Sequence, residues 1–221
     1  MTAGNDYIII FDTLLNAFGP QRWWPSDTAD ETVMGAILTQ NVAWTNVEKA
    51  LHHLKKNNLY TLKDILEISN EKLADLILPA RFSRQKAVYL KEFSLFLQKY
   101  DYDYTNLKQE FDLKELRKKL LEIKGVGNET ADSILLYAFM LPVFVIDVYT
   151  KRVFFRIGLS PDENIGYAEL QNLFHLNLKR DVGLFNEYHA LIVKLCKDTC
   201  LKKNPKCADC PLNQICLKKG F

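Results

Sequence analysis

All five cysteines of this 221-residue chain, at positions 196, 200, 207, 210 and 216, fall within its last 26 residues. Cys200, Cys207, Cys210 and Cys216 are separated by six, two and five residues. Loops this short bring four sulfurs to one point at small entropic cost, which suits a single cube-shaped iron–sulfur cluster. A structural zinc site also takes four thiolates, but usually as two separated C-x-x-C pairs. Only Cys207 and Cys210 form such a pair, so the spacing favours a cluster over zinc, with four free thiols as the bland alternative. Cys196 precedes Cys200 by one helical turn and reads as a buried or spare thiol. The N-terminus has Asp6 and Asp12 around Tyr7 to Phe11 with no basic region before them, unlike a secretory leader. A cytoplasmic setting (prokaryotic cytosol or nucleoid) is therefore expected. In that reducing environment clustered thiols read as a metal site rather than disulfides.

Upstream of that loop, helical periodicity dominates. Val47, Ala50, Leu51 and Leu54 repeat at helical spacing, as do Tyr188, Leu191, Ile192 and Leu195. Thr28 with Glu31 and Asp112 with Glu115 read as capping boxes, and Thr61 and Ser69 open further short helices. Only Val143 to Ile146 looks strand-like, and four residues without a partner run make a poor sheet. The expectation is an all-α chain of about ten helices joined by short turns. Apolar residues make up 48% of the chain and charged ones 25%, ample for a core. The net charge of +2 argues against polyanion binding by bulk charge, so any nucleic-acid contact must come from a local patch. No window has the ~18–20 apolar residues of a membrane span.

Leu116, Leu120, Leu121 and Ile123 lead into Gly125-Val126-Gly127, and a helical stretch starts again with Asn128-Glu129-Thr130. Two glycines around one apolar residue permit a tight reversal with positive φ and outward N–H groups, which suits a phosphate. Such a turn is also often only a turn. Asp147 stands between the apolar run 143–146 and a helical stretch from Val148, where the commonest role of an Asp is that of an N-cap. The four histidines (52, 53, 175 and 189) show no ligand or dyad spacing, and Asp147 has no evident titratable partner.

Taken together, three segments resemble the endonuclease III superfamily of helix-hairpin-helix DNA glycosylases. They are 120–132 (LLEIKGVGNETAD), 145–153 (VIDVYTKRV) and the C-x6-C-x2-C-x5-C loop. The resemblance covers nearly the whole chain and implies an all-α, two-lobed fold. One lobe would be 27–144, with the hairpin at about 112–140. The other would be 1–26 plus 145–221, with the loop at 200–216 holding a [4Fe–4S] cluster on Cys200, Cys207, Cys210 and Cys216. It implies Asp147 as the catalytic carboxylate, double-stranded DNA carrying damaged bases as the partner, no membrane, and a monomer.

The bifunctional members carry a lysine two residues after the second hairpin glycine, where it forms a Schiff base with the sugar. This chain has Glu129 there, which cannot form an imine, so AP-lyase activity should be absent. The N-terminal half resembles the 3-methyladenine glycosylase branch, through Trp23-Trp24-Pro25 and Gly35 to Asn41 with Trp44. Electron-rich indoles suit a cationic alkylated base, and the resemblance implies Trp23 and Trp44 on its faces with Trp24 and Pro25 at its edge. It also implies Gln40 and Asn41 in the gap left by the extruded nucleotide, and Phe82 as a wedge beside Arg81, where relatives usually carry Gly. Lys124, Gly125, Val126, Gly127 and Thr130 would contact the DNA backbone. The expected function is monofunctional excision of alkylated bases in base excision repair. The alternatives are an endonuclease III-like enzyme for oxidised or mismatched pyrimidines and a non-catalytic DNA-binding module.

Overall fold

The computed structural model describes residues 3–220, with side chains from residue 6 onward, and contains no strand among them. Its α-helices are α1 (Ala3–Phe18), α2 (Ala29–Leu38), α3 (Trp44–Lys56), α4 (Leu62–Glu67), α5 (Asn70–Leu76) and α6 (Ser83–Gln98). They continue with α7 (Tyr104–Glu110), α8 (Leu113–Glu122), α9 (Asn128–Ser133), α10 (Val148–Ile157), α11 (Tyr167–Asn177) and α12 (Val182–Asp198). A π-turn, Ile134–Ala138, extends α9. The chain divides into two compact units: Pro25–Leu141, and the described residues up to Trp24 together with those from Pro142.

In the Pro25–Leu141 unit the helix starts follow local side-chain chemistry. Thr28 accepts a hydrogen bond from the Glu31 N–H, and Asp112 from the Glu115 N–H. Thr61 forms a reciprocal capping box with Asp64, and Ser69 caps α5 through the Lys72 N–H. Each side chain satisfies an N–H that a helix start leaves unpaired, typically worth ~1 kcal/mol. Helix α6 packs on α4 and α5, α2 lies against the π-turn, and α3 carries Val47, Ala50, Leu51 and Leu54 on its buried face. Helices α8 and α9 form the hairpin. Arg117 on α8 donates to both carboxylate oxygens of Asp132 on α9, at 2.6 and 3.0 Å, and to Asn128 Oδ1 at 3.1 Å. Asp132 is fully buried, so this bidentate pair fixes the angle between the two helices.

The other unit is built from α1, α10, α11 and α12 around an aromatic core. Phe144 stacks on Phe174 with centroids 3.7 Å apart, and Tyr7 and Tyr188 meet Phe174 edge-on. The buried Tyr188 hydroxyl donates to the Tyr7 carbonyl at 2.8 Å. Val143 to Ile146 is extended and buried yet pairs with no strand. Side chains of α11 and its first residue take the place of a neighbouring strand. The Phe144 N–H donates to His175 Nε2, its carbonyl accepts from Gln171 Nε2, and the Ile146 N–H donates to the Tyr167 hydroxyl. Buried backbone groups must find partners, and here helix side chains provide them. This segment delivers Asp147 to the start of α10.

Candidate active site

Asp147 is the N-cap of α10. Its Oδ1 accepts from the Thr150 N–H at 2.7 Å and the Thr150 hydroxyl at 2.8 Å. The capping role and a chemical role are compatible, because only one carboxylate oxygen is occupied by the cap. The other, Oδ2, faces His189 Nε2 at 3.6 Å, with both side chains about nine-tenths buried. Burial alone would raise the carboxyl. The facing His189, together with the two Thr150 donors, outweighs it and holds Asp147 below the usual carboxylate range.

This pairing corrects the sequence expectation that Asp147 has no titratable partner. His189 lies on the stripe of α12 shared by Phe185, Ile192 and Cys196, all buried, and a histidine on such a stripe was the available signal. Of the other histidines, His175 is structural, and His52 and His53 are exposed.

The hairpin turn differs in detail from its glycine pattern. Gly125 has φ +90, but Gly127 has φ −93 and ψ −177, an extended N-cap conformation open to any residue. A Cβ on Gly125 would collide with the Tyr89 ring, whereas a Cβ on Gly127 would meet nothing. Lys124, Gly127, Asn128 and Glu129 are exposed. Two of the residues expected at the DNA backbone have buried side chains. Val126 points into the core at 6% exposure, and Thr130 is buried with its hydroxyl accepting from Gln40 Nε2 at 3.0 Å. The Gln40 amide also donates to the Gly125 carbonyl at 2.8 Å. Its nitrogen is committed inside the unit, so Asn41, exposed at φ +55, is the free tip of that turn.

Arg81 and Phe82 both have positive φ, at +55 and +45, and Phe82 is 63% exposed. Arg81, at ψ 166, borders a region of backbone space almost reserved for glycine. Trp44, at the first position of α3, is half-buried and donates to Glu48 at 3.1 Å. In the other unit Trp23 and Trp24 meet edge-on, and the Lys197 ammonium lies 5.8 Å from the Trp23 ring centroid. Pro25 is exposed. Lys151 donates to the Ile165 carbonyl, so it is occupied structurally.

Cys200, Cys207, Cys210 and Cys216 line one small hollow with Arg156, Thr199 and Asn213. Among the described residues no three His, Cys, Asp or Glu side chains converge closely enough to hold a single ion. Arg156 reaches from α10 to Cys200 Sγ at 3.3 Å and to the carbonyls of Leu201 and Lys202. The Cys196 thiol, hydrogen-bonded to Cys200, draws Cys200 down to about 6 with help from Arg156, against burial. Burial pushes the Cys210 and Cys216 thiols up instead. Lys202, Lys203 and Lys206 are exposed on the same loop.

Residues 34–179 match the HhH-GPD family, described as HhH-GPD superfamily base excision DNA repair protein. A putative DNA repair glycosylase of Methanocaldococcus jannaschii is 46% identical over 211 residues, covering 95% of each chain. A crystal structure of the Helicobacter pylori 3-methyladenine DNA glycosylase bound to 1,N6-ethenoadenine superposes with TM-score 0.75 at 30% identity, over 89% of this chain and 98% of that one. A non-covalent endonuclease III–DNA complex superposes with TM-score 0.81 at 19% identity, over 99% and 97%, a likeness of fold. The helical architecture thus agrees with the matched family, and the chain belongs to the HhH-GPD superfamily of base excision DNA repair proteins, as a DNA glycosylase.

Proposed function

We propose that this glycosylase is monofunctional and excises alkylated bases of the 3-methyladenine type from double-stranded DNA by hydrolysis. The observation that carries the reading is the contrast between positions 147 and 129. Asp147 is held ionised, with one oxygen fixed by Thr150 and the other beside His189. Position 129, where bifunctional relatives carry lysine, is an exposed glutamate. As the N-glycosidic bond breaks, positive charge develops on the sugar; Asp147 stabilises it and orients the attacking water, accepting its proton. Water adds to C1′ and the base departs with the bonding electrons. A purine methylated at N3 or N7 leaves without a general acid, because it is already cationic.

Substrate preference comes from the tryptophans. The indoles of Trp23 and Trp44 are partly exposed, and electron-rich faces favour a flat cation over a neutral base. The 30%-identical structure bound to 1,N6-ethenoadenine supports a damaged purine as ligand.

The four loop cysteines fit a [4Fe–4S] cluster. All four line one hollow, and four thiolates are the donor set that such a cluster takes. The cluster would tie residues 200–216 into a rigid loop that presents Lys202, Lys203 and Lys206 to phosphate. Iron analysis should give roughly four atoms per chain; stoichiometric zinc in anaerobically purified protein would refute it.

The test of function is base release from a panel of duplexes containing 3-methyladenine, 1,N6-ethenoadenine, uracil or thymine glycol. The expected order puts cationic 3-methyladenine first, with an intact abasic strand left behind and no borohydride-trapped complex. Faster release of uracil or thymine glycol, or efficient trapping, would sink this reading. Asp147→Asn should abolish turnover while retaining DNA binding. In His189→Ala, Asp147 loses the neighbour that lowers it, so the acid limb of the rate–pH profile should move to higher pH. An unmoved limb would remove His189 from the site.

A further inference from the structure

Three turns of the Pro25–Leu141 unit carry residues that the family resemblance assigns to the duplex: Gln40-Asn41, Arg81-Phe82 and Gly125 to Thr130. Buried polar side chains tie them together. Lys86 on α6 is 2% exposed, and its ammonium donates to the carbonyls of Leu38 at 2.7 Å, Gln40 at 2.9 Å and Ala80 at 2.8 Å. An ammonium has three N–H donors, and each has a carbonyl here. The Gln40 amide then continues the connection to Gly125 and Thr130.

Strained residues directly follow two of the three pinned carbonyls. Asn41 comes directly after Gln40, and Arg81 and Phe82 come directly after Ala80, all three at positive φ without being glycine. Each such conformation costs about 1–3 kcal/mol and persists only where its surroundings over-determine it. Lys86 is the side chain that reaches the backbone of both turns. It is also an unusual choice for a purely structural fastener. Burial pulls the ammonium down to about 8, and a buried charge is costly unless every donor is paired.

We propose that Lys86 is a positioning residue for nucleotide extrusion. Its ammonium holds the Asn41 and Phe82 turns in the raised conformation in which they enter the DNA stack, and Gln40 keeps them in register with the hairpin. Lys86 itself touches neither DNA nor the reacting atoms. The inference rests on Phe82 acting as a wedge, and it holds whichever damaged base the enzyme prefers.

The experiment compares single-turnover release of one lesion, chosen as the base the wild type releases fastest, in two contexts. In one the lesion is paired within a duplex; in the other it lies in a bulge, already unstacked. An apolar wedge offsets an unstacking cost of a few kcal/mol, so Lys86→Met should slow release from the paired substrate by roughly tenfold or more. Release from the bulge should fall less than about threefold, because no wedge is needed there. Phe82→Ala should show the same split, and the double variant should lose little beyond either single one, as expected for residues acting as one unit. Equal losses on both substrates, an unaffected paired substrate, or additive losses would each overturn the proposal. If Lys86→Met does not fold, Lys86→Arg carries the test by the same criteria. Its planar guanidinium keeps the charge but cannot aim three donors at three separate carbonyls. A wild-type rate for Lys86→Arg on the paired substrate also overturns it.

Discussion

Two turns in the same unit reach left-handed backbone by opposite means. The hairpin uses a glycine: Gly125 sits at φ +90 directly beneath the Tyr89 ring, where no side chain fits. The turn after the 3-10 segment Leu78–Ala80 uses Arg81 and Phe82 at φ +55 and +45, and a buried lysine holds it in place. Under the roles proposed above, the difference follows from what each turn would present. A turn that offers its backbone to phosphate gains from having no side chain in the way. A turn that must project a wedge needs a bulky side chain at its tip, so the strain is accepted and the surroundings compensate. Helix α8 supports the first turn through Arg117, and α6 supports the second through Lys86.

The largest effect should come from breaking the support of the glycine turn. Arg117→Ala leaves the fully buried Asp132 without its bidentate partner, at a cost of about 3–5 kcal/mol in urea unfolding. A loss under about 1 kcal/mol would show that water or another donor replaces the guanidinium. Next comes the turn itself. Gly125→Ala meets both an unfavourable φ and the Tyr89 ring, and should destabilise by about 2–4 kcal/mol. Combining it with Tyr89→Ala should restore the part due to the collision and leave the part due to φ.

The other turn should respond in the opposite sense. Arg81→Gly relieves a conformation that glycine adopts freely, and should stabilise by only about 0.5–1 kcal/mol, because the freedom gained by the unfolded chain offsets part of that relief. If Arg81 contacts a phosphate, the same variant should bind DNA more weakly and with a salt dependence shallower by about one ion. Stabilisation without any change in salt dependence would make Arg81 a tolerated residue rather than a DNA contact.

How much of this was legible in the sequence depended on the range of the interaction. The caps at Thr28, Thr61, Ser69 and Asp112 were readable because donor and acceptor lie within three residues. The helical stripes on α3 and α12 were readable because periodicity reports burial. Asp147 was readable as a cap from its position and as a catalytic candidate only through the family resemblance. His189 was not, since its partner belongs to a different helix far away in sequence. The extended run 143–146 showed its β-like character but not the α11 residues that satisfy it. Lys86 was hidden because a lysine amid Arg84, Gln85 and Lys91 reads as solvated surface, and three carbonyls from two turns cannot be seen in one dimension. Gly127 misled in the other direction: paired with Gly125, it suggested positive φ, yet its backbone is ordinary.

That ordinary backbone gives the smallest and most discriminating effect on stability. Gly127 is the N-cap of α9, in extended conformation, with open space where a Cβ would stand. An aspartate there can accept hydrogen bonds from the first N–H groups of the helix and lies at the favourable end of its dipole. Gly127→Asp should therefore leave the protein unchanged or raise its stability by a few tenths to about 1 kcal/mol. Its carboxylate would stand where the hairpin is assigned a DNA phosphate, and repulsion should weaken binding. Because phosphate contacts carry no base identity, the loss should be equal for damaged and undamaged duplexes. It should also leave the rate of base release at saturating enzyme nearly intact. Gly125→Ala lowers stability and binding together, so it cannot separate the two; Gly127→Asp moves them in opposite directions. Loss of binding to damaged DNA alone would assign the hairpin to base recognition, and unchanged binding to both would remove it from the DNA contact surface.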